Sequence, residues 1–155
     1  GLYGNAFAAA VEDAVRRATE RIDPPTITNL IAIAAPRGGW GEYTPEQIEY
    51  ALTTALTGFR AAVLESSSGP TVVHTGFWGC GAFGGNRELM ALLQVLAAEM
   101  ADIGRLVFHA SSGTRAFNSA LVTIESELGG AVLSSHELVE RIAGMGFTWG
   151  ESDGN

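Results

Sequence analysis

The sequence predicts an α/β fold: a mostly parallel sheet of three or four strands with flanking helices. Two observations carry this. Short apolar runs of three to five residues alternate with segments whose apolar residues recur every three or four positions. The helical segments are long enough to cross a sheet and return, so successive strands lie parallel.

The elements follow in chain order. Phe7, Val11, Ala14, Val15, Ala18 and Ile22 form a helical stripe over Asn5–Ile22, and Pro24-Pro25 ends it. Leu30-Ile31-Ala32-Ile33-Ala34 is a continuous apolar run that suits a strand buried on both faces. Thr44-Pro45-Glu46-Gln47 opens a helix with an N-cap, a proline at the first position and a capping-box glutamine. Its stripe runs from Ile48 through Leu52, Leu56 and Phe59 to Leu64, and Ser66–Pro70 breaks it.

Thr71–Thr75 is a second predicted strand, followed by a glycine-rich loop, Gly76–Gly85, and a helix capped by Asn86. Leu106–Phe108 is a third strand, and Thr114 is the expected cap of a helix carrying Phe117, Leu121, Ile124 and Leu128. Ala131–Leu133 is a short fourth strand, and Ser134 with Glu137 forms a capping box for a last helix reaching Ala143. The polar tail, 150–155, is expected to fray.

Composition narrows the functional classes. The chain has 155 residues, 46% of them apolar and 17% charged, enough for one packed core. A net charge of −8 disfavours direct nucleic-acid binding or a broad anionic-membrane surface. It leaves room for a compact anion, because backbone amides and a helix N-terminus bind phosphate without Lys or Arg. One cysteine, Cys80, excludes an internal disulfide and suits a reducing, cytoplasmic setting. Neither a metal-ligand spacing nor a signal peptide or membrane span is visible, and no cofactor is implied.

The loop carries the chemistry. In Gly76-Phe77-Trp78-Gly79-Cys80-Gly81-Ala82-Phe83-Gly84-Gly85 the glycines let main-chain N–H groups approach a ligand closely. It leaves the C-terminal end of a strand and enters a helix N-terminus, where open α/β sheets bind ligands and where negative charge is favoured. This reads as a phosphate or diphosphate site made mostly of backbone. Gly79, Gly81 and Gly84 also match a dinucleotide fingerprint, but the helix cap follows the last glycine and no acid ends the next strand, as a Rossmann-type nucleotide site requires.

The run Thr75–Asn86, with Leu89, Ala91-Leu92-Leu93-Gln94 and Ala97-Ala98 after it, resembles the T-G-N-W-G-C-G-A-F-G-G-D…K-A-L-I-Q…A-A stretch of poly(ADP-ribose) glycohydrolases. The likeness extends over Asn29–Ala143, and Tyr3–Phe7 is similar to the family's Tyr-Gly-x-x-Phe stretch. The resemblance implies that 1–149 is the C-terminal portion of one three-layer, macrodomain-like domain. It implies binding of ADP-ribose or poly(ADP-ribose) by Thr75, Gly76, Phe77, Trp78, Gly79, Cys80, Gly81, Ala82, Phe83, Gly84, Gly85 and Asn86. Gly79–Gly85 would hold the diphosphate and Phe83 would pack against the ribose beside the scissile bond.

Departures qualify this. Phe77 stands where the family has Asn, Asn86 where it has Asp, and Ser111 near its adenine-side aromatic. The family's G-G-G…Q-E-E signature is absent, since no three glycines run together and no two glutamates adjoin. Glycosidic cleavage needs a positioned carboxylic acid. Glu42 and Glu88 are the nearest candidates, yet both read as a loop acid and a first-turn helix acid, so no catalytic residue is assigned. The alternatives are a fragment of a glycohydrolase that cleaves ribose–ribose bonds, an inactive ADP-ribose-binding module, and a Rossmann-type nucleotide binder. A domain lacking its upstream part is expected to expose a sheet edge and an apolar face, through which the chain could self-associate.

Overall fold

A computed structural model describes residues 9–26, 29–67, 69–110 and 113–153. In chain order these form α1 (Glu12–Ala18), α2 (Pro45–Glu65), β1 (Val72–Gly76), α3 (Arg87–Met100), β2 (Arg105–His109), α4 (Thr114–Thr123) and α5 (Ser135–Ala143). A π-helical turn, Ile124–Leu128, continues α4.

Local signals place the helix starts. The Thr44 hydroxyl accepts from the Gln47 N–H while the Gln47 side chain accepts from the Thr44 N–H, and Ser134 and Glu137 do the same for α5. The Asn86 side chain accepts from the Leu89 N–H at the head of α3. The expected Thr114 cap is corrected: Thr114 is already helical, Gly113 is the cap residue, and no side chain caps that end.

β1 and β2 pair in parallel, Val72 opposite Arg105 and Gly76 opposite His109. Alternate residues of each strand face opposite sides. Val73, Leu106 and Phe108 pack onto the core, and Thr75 bonds to α3. That core is built by α2, α3 and α5, with Ile48, Leu89, Met90, Leu92, Leu93 and Ile142 fully enclosed. α2 packs on α3, α3 on α4 and α2 on α5. The opposite face of the sheet, with Val72, His74, Arg105 and His109, is exposed. There the rings of His74 and His109 stack, with Nδ1 and Nε2 3.0 Å apart.

The parallel pairing agrees with expectation; the strand count is corrected. Among the described residues the sheet has two strands, not three or four. Residues 29–36 form neither helix nor strand and join no ladder, with Ile33 beside Gly58 of α2 and Ala35 beside Gly79. A cleft of about 790 Å³ lies between this segment, α2 and β1. Leu30 is 87% exposed, so the run is not a strand buried on both faces. Without paired N–H and C=O groups, an extended apolar segment has nothing to fix its register. Ala131–Leu133 also forms no strand: Val132 is fully exposed, and only Leu133 reaches the core.

Of the helix expected over Asn5–Ile22, the described residues form only Glu12–Ala18, which buries no residue, with Val11 and Ile22 both exposed. An amphipathic stripe adds stability only where something covers it. The expected start of that helix, the Tyr3–Phe7 likeness and Ser111 all lie outside the described residues.

Candidate functional site

The loop after β1 is anchored from both ends. At its entry, Gln94 of α3 is fully buried and makes three hydrogen bonds. Its Oε1 accepts from the Thr75 hydroxyl at 2.5 Å, and its Nε2 donates to the Gly76 carbonyl at 2.9 Å and to the Met90 carbonyl at 3.0 Å. The Trp78 N–H also donates to Gly76, at 2.8 Å, so the chain turns sharply out of the strand. Gln94 fixes the strand end, a role its place in a recognised motif did not disclose. The available signal was an amide in the middle of the otherwise apolar Leu89–Ala98 run.

Gln94→Leu is expected to strand the Thr75 hydroxyl. The loss should be about 1–3 kcal/mol, read as a lower urea midpoint with an unchanged slope.

At the exit, the Asn86 N–H donates to the Tyr43 hydroxyl at 3.0 Å, and the Asn86 side-chain amide donates to the Thr148 carbonyl at 2.9 Å. Tyr43 stacks on Trp149, with centroids 4.2 Å apart. Gly39 lies so close to the Trp149 indole that a Cβ there would overlap it. The Gly38–Gly41 loop and the C-terminal segment thus meet beside the end of the binding loop.

Inside the loop, Cys80 N–H donates to the Phe77 carbonyl at 3.2 Å, Gly84 N–H to Gly81 at 2.9 Å and Gly85 N–H to Gly79 at 2.9 Å. Gly79 and Gly84 sit at φ +74° and +62°, where side chains are strained. A Cβ on Gly85 would come within 2.7 Å of the Gly79 carbonyl, so the base of the loop closes only on glycine. Two further carbonyls meet the tail: Ala82 accepts from the Ser152 hydroxyl at 2.7 Å and Gly84 from the Gly150 N–H at 2.8 Å. Residues 150–153 thus lie against the loop.

The peptide planes then dictate where the amides face. In a trans peptide the carbonyl of one residue and the N–H of the next point in opposite directions. The peptides here are trans. With the carbonyls of Gly81 and Ala82 turned toward Gly84 and Ser152, the N–H groups of Ala82 and Phe83 point the other way.

The aromatics diverge. Phe83 is 47% exposed beside these amides. Phe77 turns toward Phe108, edge-on at 5.0 Å, beneath the Arg87 guanidinium, and fills the space over Gly113. Trp78 packs against the core and lines the cleft beside β1; its buried indole N–H has no hydrogen-bond partner among the described residues.

The ionisable candidates lie elsewhere. Glu88 accepts from the Thr123 hydroxyl at 2.9 Å and lines a groove with Arg115. Glu42 is exposed and bridges Thr148 through its main chain. Among the described residues, no group of three or more His, Cys, Asp or Glu side chains could hold a metal ion. No described helix is long and apolar enough to cross a membrane.

Burial pushes the Cys80 thiol up to about 12, with the Arg87 charge opposing weakly. Burial likewise raises the Tyr43 phenol to about 12, although the Asn86 N–H favours its ionised form. Both groups stay protonated when folded and would ionise earlier when unfolded. Their contribution to stability is thus complete below about pH 9 and declines as pH rises toward 12. The urea midpoint should fall between pH 8 and pH 10.5. Iodoacetamide at pH 8 should label Cys80 quickly only after unfolding, as mass spectrometry would show.

Residues 3–118 match the family model described as poly(ADP-ribose) glycohydrolase, macro domain fold. That match spans well over half the chain. The chain is also similar to a Caenorhabditis elegans protein named poly(ADP-ribose) glycohydrolase 2, with 39% identity over 82 residues. The match covers 48% of this chain and 16% of that relative's length.

Proposed function

The chain belongs to the poly(ADP-ribose) glycohydrolase family, whose fold is that of a macro domain, and from that we propose that it is the ADP-ribose-binding portion of a hydrolase cleaving ribose–ribose O-glycosidic bonds. Thr75–Asn86 holds the ligand. The diphosphate lies against the outward N–H groups of Ala82 and Phe83, near the positive end of α3. Phe83 supplies an apolar face to the ribose.

One observation carries the reading. At the C-terminal end of a parallel strand, a loop has turned its carbonyls toward protein donors and left two consecutive amides facing away. Such a surface attracts anions without any cationic side chain, which suits a chain of net charge −8.

The remaining carboxylates favour binding over turnover. Glu88 is engaged with Thr123, and no adjacent pair of glutamates occurs in the sequence. Isothermal titration of the chain with ADP-ribose should give saturable heat, whereas incubation with poly(ADP-ribose) should release none. Absence of heat at millimolar ADP-ribose would overturn the binding assignment.

A further inference from the structure

We propose that the C-terminal segment Gly150–Asp153 is a positioning element of the binding loop, holding its carbonyls aside so that its amides face the diphosphate; this rests on the ADP-ribose reading above.

Three observations converge. Three hydrogen bonds join the two segments with the tail donating and the loop accepting. Gly150 N–H donates to Gly84, the Ser152 hydroxyl to Ala82, and the Asp153 N–H to Gly81 at 3.4 Å. A segment covering the anion site would instead offer acceptors to the loop's N–H groups.

Second, the tail is delivered there by a built junction. Tyr43 N–H donates to Phe147, Trp149 N–H donates to Gly41, and Glu42 bridges Thr148 in antiparallel fashion. Trp149 also stacks on Tyr43 and donates from its indole to Gln47. The residues leaving Trp149 start from this junction, and Gly150 is already bonded to Gly84 of the loop.

Third, Gly84 is shaped around the tail. A Cβ there would stand 2.9 Å from the Ser152 nitrogen and 3.0 Å from the Gly150 oxygen. This glycine of the motif serves a protein–protein backbone approach.

The physical consequence is preorganisation. A flexible loop presenting carbonyls to a diphosphate would repel it, and reorienting those peptides on binding would cost affinity. The tail completes that reorientation in advance.

The test compares the intact chain with a deletion of residues 150–155, with Ser152→Ala and with Ser152→Thr, each titrated with ADP-ribose. Deletion should weaken binding about tenfold or more and Ser152→Ala about threefold, the scale of one or a few hydrogen bonds. Ser152→Thr, which keeps the hydroxyl, should restore near-normal affinity. The amide resonances of Ala82 and Phe83 in the ligand-free chain should shift with deletion and Ser152→Ala and return with Ser152→Thr.

Unchanged or tighter binding after deletion, with the intact chain binding normally, would overturn the positioning role alone. No binding by the intact chain would overturn the diphosphate reading and this role with it. If the deleted chain does not fold, the Ser152 pair decides.

Discussion

Gly84→Val is expected to lower ADP-ribose affinity about a hundredfold or more, beyond the range of a routine titration. Two costs combine. At φ +62° a non-glycine residue carries strain of roughly 1–2 kcal/mol. The added Cβ also meets the Ser152 nitrogen at 2.9 Å and the Gly150 oxygen at 3.0 Å, both backbone atoms that cannot rotate away. The tail must lift, releasing the Ala82 and Gly84 carbonyls.

Gly41→Val is the matched control. It has a similar φ of +69° but nothing within 4 Å of its Cβ. It should cost comparable stability and leave binding within a few fold. Equal binding by both variants would show that strain, not the tail contact, is all that Gly84 avoids.

Leu92→Ala should destabilise the fold by about 3 kcal/mol, within the usual range for a buried leucine. At this chain length that corresponds to a melting point lower by roughly 10 °C. Leu92 is fully enclosed in α3, among residues that pack α3 against its neighbours. Leu30→Ala is the contrast. Leu30 is 87% exposed, so truncation removes almost no burial and the melting point should hardly move. A large loss for Leu30→Ala would show that residues 29–34 are covered in solution, as the sequence reading expected.

These contrasts mark how far the sequence could be read. The capping boxes at Thr44 and Ser134 and the Asn86 cap involve residues three apart, and all three form as their spacing predicts. The loop Gly76–Gly85 was legible because glycine spacing after a strand and before a capped helix is also a local pattern. Leu30–Ala34 misled because an apolar run states only that burial would be favourable. A strand needs a partner for its N–H and C=O groups, and that partner is chosen elsewhere in the chain. Val132 failed for the same reason.

The sequence by itself determined the helices from Pro45 onward, the caps at Thr44, Asn86 and Ser134, the parallel pairing of β1 with β2 and the place of the glycine loop, because contacts within a few residues decide each of these or short connections constrain them. Only the tertiary structure decided that Gln94 clamps Thr75 and Gly76, that Tyr43 stacks on Trp149, and that 150–153 turn the loop's carbonyls aside. Those contacts join residues 18 to 106 positions apart. Their bonding groups are main-chain atoms and ordinary side chains that any sequence contains, so closing the chain around the core, and not residue type, brings them together.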